Sequence, residues 1–273
     1  MTHFIVVVAA GLIGLFVGGV VNILADDLPD EDSSAIRAPH YPDGTPRPPG
    51  AWPGLLAFLA RARTSPGGAR LSWRHPITEV VLAIGFAYIA AAYPFSIRSL
   101  VWMIDLAILA LITIIDLEHR LILYVVMLPA YVLAIIGAAA AGPELSNKVA
   151  FADYLIGGAA GFGLFFVMYL GGRLFRSIMS SARGEELEEE AFGFGDVMLA
   201  TLCGLMLGWQ AAILAVLITV LAGAAGALVY IAVRLIAKGR YEMLTPLPYG
   251  QYIVLGTVVM LLWGEQVRAF LQR

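Results

Sequence analysis

Cysteine and charge are what this sequence has least of. Its 273 residues include one cysteine, Cys203, so neither a disulfide framework nor a cysteine-rich zinc site can form within the chain. Charged residues make up 14%, against about 25% in soluble domains. That scarcity excludes an ordinary soluble enzyme, a disordered tail and a charged coiled coil. What is present instead is apolar: 60% of residues are hydrophobic and the mean hydropathy is +0.84. The fold class expected is all-α, a polytopic integral membrane protein. The net charge of −3 says little about partners, because the charges are segregated by segment. A lipid bilayer is the expected surrounding and no nucleic acid is expected as a partner. The opening MTHFIVVVAAGLIGLFVGGVVNIL has no basic stretch before its apolar run. It reads as a first transmembrane helix and not as a cleaved signal peptide.

Apolar runs that approach the roughly 20 residues needed to span a bilayer lie near 4–24, 77–95, 99–117, 122–142, 154–173, 196–209, 211–234 and 252–268. About eight transmembrane helices are therefore expected. The sixth is short, and the Gly-Trp-Gln turn at 208–210 could join it to the seventh. No internal repeat is visible, which argues against a transporter built from duplicated halves.

Lys and Arg set the orientation, since cytoplasmic loops are enriched in them. With the N-terminus outside, the inner segments hold thirteen: Arg37, Arg47, Arg61, Arg63, Arg70, Arg74, Arg120, Arg173, Arg176, Arg183, Arg234, Lys238 and Arg240. The outer segments hold four: Arg98, Lys148, Arg268 and Arg273. The expected topology is N-out, C-out. The first inner loop, 25–75, carries eight of the fourteen prolines and cannot be regular helix or central strand. Within it GLLAFLARAR (54–63) reads as a short helix, either lying on the inner leaflet or packed within the loop. The chain as a whole, 1–273, reads as one membrane-embedded domain, with 25–75 as an insertion and 99–210 as the stretch carrying two notable aspartates.

Acids inside a membrane are costly and mark functional sites. Four qualify: Glu79, Asp105, Asp116 and Asp196. Asp116 ends the third run, in LITIIDLEHR, and Asp196 opens the sixth, in AFGFGDVMLA. The topology places both at one depth on the cytoplasmic side. Two carboxylates at one level cannot both ionise freely, so they share a proton. One can then act as base towards water and the other as acid towards a carbonyl, as in aspartic proteases. The alternative is that each simply caps a helix end. Gly193 and Gly195, flanking Phe194, let another chain approach the backbone closely. Asp105, eleven residues before Asp116 on nearly the same helix face, lies roughly 16 Å deeper.

At these residues the chain resembles the bacterial type IV prepilin peptidases, GxGD-type membrane aspartyl proteases. GGVVNILADDLP (18–29) resembles the family's first-helix exit, and LSWRHPITEVVLAIGF (71–86), with Arg74, Pro76 and Glu79, its entry to the second helix. IIDLEHRLIL (114–123) and GFGD (193–196) resemble the segments bearing the two catalytic aspartates, and PLPYGQYIVLG (246–256) the approach to the last helix. The resemblance implies cleavage of the leader from type IV prepilins, or from type II secretion pseudopilins, after a glycine on the cytoplasmic side of the inner membrane. Asp116 and Asp196 take the catalytic roles, while Gly193, Phe194, Gly195 and Glu79 are expected near the substrate. No metal and no cofactor are required for cleavage. S-adenosylmethionine enters only if the family's second activity, N-methylation of the new terminus, is retained. Three departures stand out: the first loop lacks the two Cys-x-x-Cys pairs many members have, Leu123-Tyr124 replaces the usual Pro-Asp, and Asp27 stands where a basic residue is usual.

The run EELEEE at 185–190 is either a solvated acidic loop or an attraction for basic leaders. His119 and Cys203 read as a juxtamembrane residue and a small core residue. Rival readings are a proton-coupled transporter using the acids as relay sites, a methyltransferase without protease activity, and an inactive assembly scaffold. The topology carries a direct prediction. Single cysteines replacing Ser34 or Ser181 in a Cys203→Ser background should label only from the cytoplasmic side, and labelling from outside would reverse the orientation.

Overall fold

A computed structural model describes residues 2–30, 36–141, 150–183, 193–238 and 249–272. Among the described residues no strand forms, only isolated bridges joining His40 to Pro46 and Thr64 to Arg70. The helices are α1 (Thr2–Asp27), α2 (Gly54–Leu59), α3 (Arg74–Ala92), α4 (Ile97–His119), α5 (Tyr124–Ala141), α6 (Phe151–Arg183), α7 (Phe194–Leu207), α8 (Trp209–Lys238) and α9 (Gly250–Leu271). Apart from α2, each stands on one of the eight apolar runs. Six of them are long and apolar enough to cross a membrane, while α5 and α7 are apolar but shorter. The chain is an all-α, multi-pass membrane protein.

Boundaries moved where local chemistry overrode hydropathy. Helix α6 continues ten residues past 173, to Arg183, because Arg173 and Arg176 end the apolar run but not the helix. No glycine or proline intervenes between Gly172 and Gly184. Helix α3 starts at Arg74, with Pro76 in its first turn, where a missing N–H costs nothing. Helix α2 stops at Leu59, short of the expected 63, as Arg61 turns to φ 57°. Gly208, at φ 75°, separates α7 from α8. That conformation is easy only for glycine, and it settles the sixth and seventh runs as two helices.

The helices group into two compact units, residues 1–119 and 120–273, so the 99–210 stretch draws on both. In the first unit α1 lies close along α3: a Cβ on Gly18 would come within 2.6 Å of the Glu79 Cα. Helix α4 packs on both, burying Leu109, Ile112 and Ile115. The segment from 36 to 73 closes on a small core of Ala51, Ala57 and Leu71, backed by Phe58 and Ala62. Tyr41 donates its hydroxyl to the Ala62 carbonyl (2.7 Å), and the Trp52 indole N–H donates to the Arg47 carbonyl (3.0 Å).

Carboxylates fasten this loop to the helices. Glu79, 1% exposed, accepts the Gly54 and Leu55 backbone N–H groups at 2.5 and 2.8 Å. These are orphan donors at the start of α2, and an acid there also suits the helix dipole. Asp27 accepts from the Arg37 backbone N–H at 2.7 Å and from its guanidinium at 3.1 Å. Asp43 pairs with the Ser65 hydroxyl at 2.5 Å, and that bond, with others from Thr45, holds its carboxyl below the usual value.

In the second unit α7 is the hub, touching α5, α6, α8 and α9. Val197, Leu199 and Leu202 are completely buried. Its closest neighbour is α6, where Gly157 and Gly204 meet backbone to backbone and leave no room for a Cβ on either. Small residues at such crossings are how membrane helices approach closely without a hydrophobic drive. Across the other side Tyr131 of α5 donates to the Met198 carbonyl at 2.9 Å.

Glu79 supplies the prediction here. Glu79→Gln exchanges an acceptor oxygen for an amide that faces a backbone N–H. The loss should be about 1–3 kcal/mol, the cost of an unsatisfied buried donor. It should appear as a lower melting temperature in detergent and faster proteolysis between 36 and 73. Unchanged melting would show that α2 is not held by this contact.

Candidate active site

Asp116 lies in the last turn of α4, half-buried, after the buried pair Ile114 and Ile115. A helix C-terminus carries partial negative charge, so an acid there is disfavoured by about 0.3–1 kcal/mol. Helix capping therefore does not account for its presence. Around the same helix end the charges are dense. Arg74 at the start of α3 pairs with Asp26 at the end of α1, and also with Glu118 of α4 at 3.0 Å. His75 Nε2 stands 3.1 Å from the other oxygen of Asp26, and Asn22 donates to the His75 carbonyl at 3.0 Å. These side chains border a polar cleft of about 530 Å³, also lined by Arg37, His40 and the exposed His119. Glu79 does not line that cleft; its two oxygens serve α2.

Asp196 belongs to the second unit, Asp116 to the first. Gly193 is extended (φ −85°, ψ 154°) and forms the N-cap of α7. Its N–H is accepted by Asp196 Oδ2 at 3.3 Å, and its carbonyl accepts the Asp196 N–H at 3.2 Å. Glycine has no side chain to return the favour, so this is one half of a capping box. Asp196 is thus a helix-starting residue, well placed in the dipole, and only one of its oxygens takes part in the cap.

The two glycines behave differently. A Cβ on Gly195 would lie 3.1 Å from the Ile122 side chain, whereas one on Gly193 would meet nothing nearer than 3.9 Å. Gly195 makes room for the protein's own chain, and Gly193 leaves its backbone approachable. Phe194 sets its ring edge-on to Tyr169 at 5.7 Å, and the Arg173 guanidinium lies 5.7 Å from the Tyr169 ring centre.

Tyr249, at the start of α9, was not singled out from the sequence. Burial, and next the charge of Asp196, raise its hydroxyl above the ordinary value, so it stays a hydrogen-bond donor beside the acid. The Pro-aromatic-Gly run at 248–250 contained the signal, but its 53-residue separation from Asp196 hid the proximity. Asp105 is 2% exposed, with Oδ2 lacking a hydrogen-bond partner. Cys203 is buried and forms no disulfide. Among the described residues no three His, Cys, Asp or Glu side chains gather as a metal site. The acidic run 185–190 lies outside the described residues.

Residues 103–228 match the Type IV leader peptidase family, a span that includes Asp105, Asp116 and the whole GFGD segment. A relative from Stutzerimonas stutzeri, named prepilin leader peptidase/N-methyltransferase, is 27% identical over 96% of this chain and 92% of its own length. Relatives of the same name from Pseudomonas aeruginosa and Pseudomonas putida are 27% and 28% identical, each over 80% of this chain and 69% and 70% of theirs. Over residues 103–228 the chain is similar to the type IV leader peptidase family. No solved structure matches it. The two notable aspartates of this chain stand at the ends of apolar helices within the matched span.

The neighbourhood of Asp196 can be tested without substrate. Subtracting the ultraviolet titration of Tyr249→Phe from that of the parent should isolate one phenol ionising above the ordinary value of about 10. In an Asp196→Asn background the like charge is gone, so this step should move to lower pH. It should still lie above the ordinary value, because burial remains. An unmoved step would separate the two residues.

Proposed function

We propose that the protein is an aspartic endopeptidase that removes the leader from type IV prepilins or type II secretion pseudopilins. The observation that carries the reading is the placement of Asp116. It is a half-buried acid at the disfavoured end of an apolar helix, inside the span matched to a leader peptidase family that also holds Asp196.

In the proposed reaction one of the two aspartates, ionised, takes a proton from a water as its oxygen attacks the scissile carbonyl. The other, protonated, gives its proton to the carbonyl oxygen. The tetrahedral intermediate then collapses, and the departing amine receives a proton from the first acid. Gly193 supports the approach of an extended chain next to Asp196, since among the described residues a Cβ there would meet nothing nearer than 3.9 Å. With the basic residues setting orientation, this site faces the cytoplasm across the inner membrane.

The name of the relatives includes a second activity, methyl transfer. Its usual donor, S-adenosylmethionine, carries a sulfonium cation that calls for an unpaired carboxylate or an aromatic face. In the polar cleft Asp26 and Glu118 pair with Arg74, and Asp30 pairs with Arg37. Tyr41 is 3% exposed. These residues do not fit that donor, and we assign the chain no methyl-transfer step.

The proposal predicts strong non-additivity. Asp116→Asn and Asp196→Asn should each abolish leader cleavage in proteoliposomes, and the double variant should be no worse than either, because groups acting as a unit fail together. Asp105→Asn should retain substantial activity, as a residue about 16 Å along the helix cannot reach the same water. The pH profile should be bell-shaped and report the pair. Cleavage by inserted Asp116→Asn protein would refute the assignment.

A further inference from the structure

The second unit contains an apolar groove that the proposed chemistry does not use. It has room for about 140 Å³ and is walled by Leu164 of α6, Ala200, Cys203 and Leu207 of α7, and Ala212 and Val216 of α8. A dry apolar cavity of about this size accepts a benzene-sized group. Its position gives it meaning. Residues 196, 200, 203, 204 and 207 are spaced at four, seven, eight and eleven, which puts them on one face of α7. The groove thus begins one turn beyond Asp196, on the stripe that Asp196 heads. A second link runs through Phe165, which lines the groove and stands 6.5 Å from Tyr249, the phenol beside Asp196.

We propose that this groove is a substrate subsite, receiving a large apolar side chain from the membrane-embedded segment of the substrate that continues past the cleaved bond. The inference rests on the peptidase reading above. Continuity with Asp196 favours substrate over a lipid tail, because the groove wall reaches Tyr249, the phenol beside Asp196, through Phe165. The walls are mainly apolar and carry no charged group, so the class selected is leucine-like or phenylalanine-like. The lone thiol of Cys203 reports on occupancy.

The test uses the full chain in proteoliposomes with a membrane-inserted prepilin that the wild-type protein cleaves. Ala212→Phe and Val216→Phe, on half-buried positions of α8, fill the groove without touching either aspartate. Each should raise KM about tenfold, the scale on which hydrophobic pockets discriminate, with kcat within about twofold. A prepilin whose large apolar residues in the first ten positions after the bond are replaced by alanine should show the same KM rise with wild type, and no further rise with the filled variants. In Asp196→Asn protein, uncleaved prepilin should slow several-fold the reaction of Cys203 with methyl methanethiosulfonate, in which the thiolate takes a methylthio group as a mixed disulfide and methanesulfinate leaves. This arm also decides the matter if the phenylalanine variants fail to fold. If wild type cleaves while the filled variants keep its KM, or if prepilin leaves the Cys203 rate unchanged, the subsite is overturned. Slowing by lipid alone, equal with and without prepilin, overturns it in favour of an acyl chain. Absence of cleavage by wild type would instead indict the peptidase reading, and the thiol arm would still report binding on its own.

Discussion

The Glu79 carboxylate, shut away from solvent beside two apolar helices, is held by two backbone N–H groups of α2, and the loop between α1 and α3 hangs from that contact. Charge at the edge of a hydrocarbon layer has to be compensated. In the first unit the acids that fasten the loop find their compensation in a different part of the chain. Asp26 reaches Arg74 and His75, and Asp27 reaches Arg37. A loop without cysteine or strand acquires a defined path because its anchors are acids that must not be left alone. Such pairs add little net stability over apolar packing, but losing one partner strands the other. They therefore specify one arrangement more than they deepen it.

Helix positions were legible in the sequence, because eight apolar runs of membrane-spanning character leave few alternatives. Helix ends were less so. Hydropathy ceased at Arg173 while the backbone had no reason to stop before Gly184, and Arg61 ended α2 by a backbone turn that side-chain pattern does not reveal. The acids could be named from sequence because an acid in an apolar run has no bland explanation. Their partners could not. Arg74 meets Asp26 across 48 positions, and Tyr249 comes beside Asp196 across 53. Pairings of that kind are decided by helix packing, and local spacing carries no trace of them.

The second unit solves a different problem. Helix α7 is surrounded by four others, and the contact of Gly157 with Gly204 brings α6 against it backbone to backbone. Close packing of this sort resists sliding, since interiors are as dense as organic crystals. Asp196 is fixed at the head of that helix by its bond to the Gly193 N–H. A carboxyl on a rigid, fully packed element holds its direction better than one on a loop, which is the requirement for positioning a water. Gly193, extended and uncovered, supplies an approachable backbone directly beside it.

The shortness of α7 has a consequence for where water can go. Fourteen residues rise about 21 Å, whereas the hydrocarbon slab measures about 30 Å. Its neighbour α6, with 33 residues, rises about 50 Å. A lipid-facing helix of that length would force the bilayer to thin, but α7 is enclosed by protein. The deficit is then met inside the bundle. At one end Gly208 folds the chain straight into α8; at the other stand Gly193 and a carboxylate that demands hydration. Helix α6 meets Phe194 through Tyr169 and runs on to Arg183, so the polar end of α7 lies below the end of its taller neighbour. On the reading proposed above, hydrolysis at Asp196 would take place within the thickness of the membrane, on a peptide that never has to leave it entirely.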